Sequence, residues 1–147
     1  MMNCEQLATQ AIESQLPVYR LIMPQGIIGF NDINHYTLTP LVAEEVSLFW
    51  ELQSIEEQEY CFILLKLDQL QISDITIAEA DLMTATKHLG LELPECQVFL
   101  IVSVDANEDG QKTMTANIRA PFIFHPASHR AWQVILNNPD YPIAKII

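Results

Sequence analysis

Apolar residues in this chain gather in short blocks that alternate or run together, rather than returning at every third or fourth position. The blocks are Leu16 to Met23, His35 to Thr39, Leu48 to Ser54, Tyr60 to Leu67, Gln97 to Val104, Thr113 to Arg119, Phe122 to His125 and Trp132 to Leu136. Each is bounded by Pro, Gly, Asn, Asp or Ser, the residues that punctuate strands. Several are nearly continuous, as in strands covered on both faces. The pattern predicts a mostly β fold, a small β-barrel-like or sandwich domain.

One stretch, about 76–89, obeys a different period. Thr76-Ile77-Ala78-Glu79 has the spacing of a capping box, and Ile77, Ala80, Leu82, Met83, Ala85 and Leu89 follow helical spacing up to Gly90. This predicts one amphipathic helix with a glycine stop. Asn3 to Glu13 is ambiguous: Asn3 and Gln6 are placed like a cap, but Ala8, Ala11 and Ile12 make only a thin apolar face.

Charge changes the picture more than composition does. The 147 residues hold 19 acids against 7 bases, a net charge of −12, while half of them are apolar and the mean hydropathy is +0.15. That hydropathy is too high for a disordered chain, and the apolar runs are too short to span a bilayer. No membrane association is expected, and such a charge disfavours direct binding to a nucleic-acid backbone. Of the acids, 18 lie in residues 1–109 with 3 bases, whereas residues 110–147 carry Asp140 against four bases. The acidic field suits a basic protein partner, although an acidic balance is more often a solubility device. The first ten residues hold Glu5 and no Lys or Arg, so neither a secretory signal nor a transit peptide is read there, and a cytoplasmic location is expected. Cys4, Cys61 and Cys96 are widely spaced and odd in number, which reads as reduced thiols.

Candidate chemistry is sparse. Asp105 to Gly110 opens like a calcium loop, but the bidentate position falls on Ala116, so a polar hairpin turn is the better reading. His125 and His129 lie four apart, yet Pro126 between them argues against a helix, leaving two turn or surface histidines. Glu56, Glu57 and Glu59 form an acidic cluster between strands, read as a solvated turn. No nucleophile elbow or phosphate-cradling glycine loop is present. Neither catalytic nor metal nor cofactor residues are assigned, and no enzyme activity is expected.

Several segments in order carry a resemblance. They are Pro24-Gln25-Gly26-Ile27-Ile28-Gly29-Phe30, Phe49 to Ser54, Cys61 to Leu64, Val98 to Val104, Met114-Thr115-Ala116-Asn117-Ile118-Arg119-Ala120-Pro121, Gln133 to Leu136 and Tyr141-Pro142. Together they resemble the FliW family of flagellar assembly factors, with residues 1–147 as a single FliW-like domain and with departures at Ile28, Phe124-His125 and Ala144-Lys145. The resemblance implies a small, mostly β, barrel-like protein without catalytic activity, and a monomer is expected when it is free of partners. It implies binding to flagellin in the cytoplasm and, by partner switching, to the translational regulator CsrA, which relieves repression of flagellin translation. The resemblance also implies a short strand near Gln10 to Ser14.

Partner-binding candidates are Phe30, Gln53 and Asn117, which lie in the matching motifs, and Glu56 and Glu57, which lie in the acidic stretch between Glu44 and Glu59. For Phe30, Gln53 and Asn117 a core or turn role is the favoured reading. The alternative function is a small-molecule-binding β-barrel, because apolar strands of this kind often enclose a ligand.

Overall fold

The computed structural model describes residues 18–41, 49–67 and 76–147. Among the described residues the strands are β1 (Tyr19–Ile22), β2 (His35–Pro40), β3 (Phe49–Ser54), β4 (Cys61–Lys66), β5 (Gln97–Ala106), β6 (Lys112–His125), β7 (Arg130–Gln133) and β8 (Lys145–Ile146), with one α-helix, α1 (Glu79–His88), between β4 and β5. The sheet order is β5-β4-β3-β2-β1-β7-β6-β8, and β5 also pairs with β6, so seven strands close a barrel and β8 is added outside β6. All these pairings are antiparallel except β1 with β7, which meet in parallel at Ile22 and Arg130. That parallel seam is the weakest closure in the barrel.

Strict alternation explains the closure. Tyr36, Leu38, Leu52, Leu64, Phe99, Phe122 and Phe124 point inward and are all 0 % exposed. Each contributes about 1.5–3 kcal/mol by leaving water. Phe99 stacks edge-on against both Trp50 (5.6 Å) and Phe122 (5.9 Å). Two further apolar clusters lie outside the barrel, one on Leu65, Leu100, Val102, Ala116 and Ile118, the other where Ala85 of α1 meets Ile123 and Leu136. Covering on both sides is why these strands read as continuous apolar runs.

The structure differs from the sequence reading at four places. The two expected strands 113–119 and 122–125 are one strand, β6. Phe99 pairs with Phe122 and Ile101 with Asn117, so residues 118–121 bulge opposite Leu100 alone, and Pro121 sits in that bulge, where no ladder donor is required. The final strand stops at Gln133, although the N–H groups of Val134 and Leu136 still reach Pro121 and Arg119 across the bend. The helix starts at Glu79 with Ala78 at its cap, and no side chain of the expected box bonds it. Tyr141 substitutes, its hydroxyl accepting the Ala78 N–H at 3.0 Å and donating to Asp81. Cys61, expected as a reduced thiol, is disulfide-bonded, and Cys96 is free. Widely spaced cysteines give no sequence signal for such a pairing, because the fold alone decides their proximity. The readings at Asn3 to Glu13 and Gln10 to Ser14 lie outside the described residues.

Candidate functional site

Three of the five candidate residues meet at one end of the barrel. Phe30 is half-buried, with its ring 5.1 Å from that of Tyr60 and 5.5 Å from that of Phe62. Gln53 is the penultimate residue of β3 and turns its amide into the β3–β4 hairpin, where Nε2 donates to the carbonyls of Gln58 (2.9 Å), Tyr60 (3.2 Å) and Ser54 (3.2 Å). Glu56, in the same hairpin, reaches across to the start of β2. Its Oε1 accepts the N–H groups of Asn34 and His35, each at 2.8 Å, and lies 2.9 Å from His35 Nδ1. These bonds, the Asn34 N–H first, hold the Glu56 carboxyl below the ordinary value. The three residues therefore lock the turn to the loop that precedes β2.

That loop is built around Gly26. Its φ of +68° is left-handed, and a Cβ there would collide with the Phe30 carbonyl oxygen. The Asn34 amide bonds the Met23 carbonyl at 2.9 Å, and the Ile28 N–H donates to Gln133 Oε1 at 3.0 Å, tying the loop to β7. The matching segment 24–30 is thus a clasp over the weak seam.

Asn117 shares no hydrogen bond or ring contact with Phe30, Gln53 or Glu56. Its Oδ1 accepts the Ala120 N–H at 3.1 Å and so shapes the β6 bulge. The Pro142 carbonyl accepts the N–H groups of Ile118 (3.0 Å) and Arg119 (3.2 Å), while the Arg119 guanidinium donates to the carbonyls of Tyr141 and Pro139. The segments around Asn117 and Tyr141-Pro142, far apart in sequence, form one structural unit.

The acidic stretch divides by burial. Glu44 and Glu45 lie outside the described residues. Glu51, on the outer face of β3, is only 2 % exposed, and its Oε2 has no hydrogen-bond partner among the described residues, so burial pushes its carboxyl up to about 7. Glu56 is engaged by main chain. Glu57 and Glu59 stand exposed beside it, the Glu57 N–H donating to Ser54 Oγ at 2.9 Å. A steering field from this region therefore rests on Glu56, Glu57 and Glu59, with the contribution of Glu51 reduced near neutral pH.

Residues to which the sequence assigns no binding role line two grooves. One, of about 400 Å³, lies over the clasp between Ile28 and Ile135, which are 49 % and 61 % exposed. The other, of about 550 Å³, lies between α1 and the turn Leu93–Glu95, with Met83 54 % exposed on its wall. Ile28, between two turn glycines, carries no periodic signal, and Met83 follows the helical period, which does not distinguish a buried apolar residue from an exposed one. The calcium-like segment is a hairpin turn in which Asn107 Oδ1 accepts the N–H groups of Asp109 and Gln111. His125 Nδ1 lies 2.7 Å from Ser128 Oγ and its Nε2 lies 3.4 Å from Glu95, while His129 closes the turn at a φ of 55°. Among the described residues no group of three or more His, Cys, Asp or Glu is placed to hold a metal ion, and no helix is long and apolar enough to cross a membrane.

A family model described as FliW protein matches residues 5–147. Among curated relatives, a flagellar assembly factor FliW of Natranaerobius thermophilus is 28 % identical, over 82 % of this chain and 76 % of its own. A flagellar assembly factor FliW 2 of Desulfotalea psychrophila is 30 % identical, over 85 % of this chain and 78 % of its own. A crystal structure of the flagellar assembly factor FliW superposes with a TM-score of 0.61 at 22 % identity, covering 86 % of this chain and 84 % of that one. At that identity the superposition establishes a shared fold: a mostly β barrel with one helix.

Proposed function

Because the chain belongs to the FliW family, we propose that it acts as a flagellar assembly factor that binds flagellin in the cytoplasm and, by partner switching, sequesters CsrA to relieve repression of flagellin translation. The observation that carries this reading is the family match across residues 5–147, in a family of assembly factors rather than of enzymes. The net charge of −12, with Glu57 and Glu59 exposed at the barrel end, supports a basic second partner. The apolar grooves at Ile28–Ile135 and beside Met83 support a first partner that presents an aliphatic segment ordering on contact, as a helix in a groove or an added strand. The barrel axis, in contrast, is filled by seven fully buried side chains, and nothing favours the ligand-binding barrel.

The test is a competition. Purified flagellin and CsrA from the source organism are titrated separately and then together against this chain by calorimetry. The reading expects a complex with each partner, with flagellin displacing CsrA. Failure of both to bind at about 10 μM would overturn it, as would flagellin without its terminal segments binding as tightly as the full-length protein.

A further inference from the structure

The outer surface of β1 has a different character from the acidic barrel end. Leu21 is 2 % exposed and Tyr19 stacks on Trp50 and Phe124, so both point inward. Strand alternation then puts Val18, Arg20 and Ile22 on the outer face. Val18 is 52 % exposed, Ile22 is 43 % exposed, and Arg20 is exposed between them. Across the seam Ile22 pairs with Arg130, which is exposed, while its neighbour Ala131 is fully buried. Two guanidinium groups and two aliphatic side chains thus share one patch. Among the described residues neither arginine makes an ion pair or a side-chain hydrogen bond, although acids outnumber bases 19 to 7 in the chain. Within the register of β1, β2 and β3 the acid is Glu51 of β3, opposite Thr39, two strands from β1 and only 2 % exposed, while Glu56 in the hairpin beyond β3 is already engaged by Asn34 and His35.

The main chain there is also open. The Met23 N–H bonds Asn34 on the β2 side, so Tyr19 and Leu21 face β2 as well and Arg20 and Ile22 face the other way. The Ile22 N–H is taken by the His129 carbonyl at 2.8 Å, but β7 begins only at Arg130 and runs away from Arg20. The Arg20 N–H and C=O have no partner among the described residues.

We propose that this edge is a docking site for an extended peptide segment of a partner that carries a carboxylate between two aliphatic residues. The peptide main chain adds to β1 at Arg20, its carboxylate lies between Arg20 and Arg130, and its aliphatic side chains cover Val18 and Ile22. Charge complementarity selects the acid. A basic segment would bury two unpaired guanidinium groups against its own charge, whereas a carboxylate pairs with both. The site goes beyond the flagellar reading and does not depend on it.

The probe is a labelled peptide with the core Val-Thr-Glu-Thr-Val, followed by fluorescence anisotropy against the whole chain. The expected result is saturable binding that weakens about tenfold or more when the central Glu is Lys, and that weakens again when the Glu amide is N-methylated. The double variant Arg20→Glu/Arg130→Glu should reverse the preference, and the milder Arg20→Gln/Arg130→Gln, which leaves no unpaired charge, should remove it while the thermal melt is unchanged. Equal binding of the Glu and Lys peptides, insensitivity to N-methylation, or absence of binding at about 1 mM would overturn the proposal. So would a dimer of the free chain that both double variants abolish, because the occupant would then be a second copy.

Discussion

The barrel end around Phe30, Gln53 and Glu56 and the seam face around Arg20 and Arg130 lie at opposite extremes of hydrogen-bond satisfaction. At the barrel end, three polar side chains are engaged with main chain: Gln53 with three carbonyls, Glu56 with two amides, Asn34 with Met23. At the seam face two arginine side chains and the main-chain N–H and C=O of Arg20 have no partner among the described residues. A motif residue fixed by three bonds is an architectural element. A charged group without a partner is where binding free energy remains to be gained.

The sharpest way to break the barrel end is Gly26→Ala. The left-handed φ costs about 1–2 kcal/mol for any L side chain, and the contact with the Phe30 carbonyl adds backbone displacement, so a loss of roughly 3 kcal/mol or more is expected in denaturant unfolding. Gly110 is the control. It has a similar φ of +79°, but nothing lies within 4 Å of where a Cβ would stand, so Gly110→Ala should cost only about 1 kcal/mol. Equal losses at the two sites would mean that the clasp is not tightly closed.

The same contrast explains what the sequence revealed. Strands were legible wherever one side of the chain faced the barrel axis, since alternation reports burial, and the helix was legible from its period. The β6 bulge was hidden because Pro121 looks like a terminator until Asn117 and Pro142 are seen to satisfy the main chain around it. The helix cap was hidden because Tyr141 lies 63 residues from Ala78. At the candidate site, Phe30 and Gln53 are singled out by the matching motifs and Glu56 by the acidic stretch; that they meet at one barrel end, where Gln53 and Glu56 bond main chain, is set by the fold. Arg20 and Arg130 gave no signal, because an unpaired charge is a property of three-dimensional neighbours and not of spacing.

A second prediction moves from Glu56 in the exposed hairpin to the buried Glu51 on β3. The Glu51 carboxyl titrates near 7 in the folded chain against an ordinary value of 4.5. Between those values the native state binds more protons than the unfolded one, so stability falls as pH rises through that window and the full penalty is present above about 7. A shift of this size corresponds to about 3 kcal/mol. Glu51→Gln should therefore stabilise the chain by up to that amount at pH near 8, leave it nearly unchanged near pH 4, and flatten the pH profile between. An unaltered profile in urea unfolding at several pH values would show that Glu51 is solvated.

The smallest effect on stability is expected where the acidic turn is free of architecture. Glu57 and Glu59 are both exposed, and neither side chain bonds another group among the described residues. Reversing both to lysine should change stability by no more than about 0.5 kcal/mol. If their field steers the second partner proposed above, CsrA, association should slow several-fold at about 50 mM salt and converge with the parent at about 500 mM, because the Debye length shortens and rim charges act on the encounter rate. Glu56 must be left in place in this variant. Its reversal would remove the acceptor of the Asn34 and His35 amides and set a cation against those donors, so slowed association would then report a distorted barrel end rather than lost charge. Stopped-flow rates for Glu57→Lys/Glu59→Lys that match the parent at low salt would remove the acidic turn from the encounter. A matching slowdown in flagellin association would show that the turn repels or attracts every partner alike. Slowing confined to the basic partner, with an unchanged melt, would separate a surface that steers from the clasp immediately beneath it.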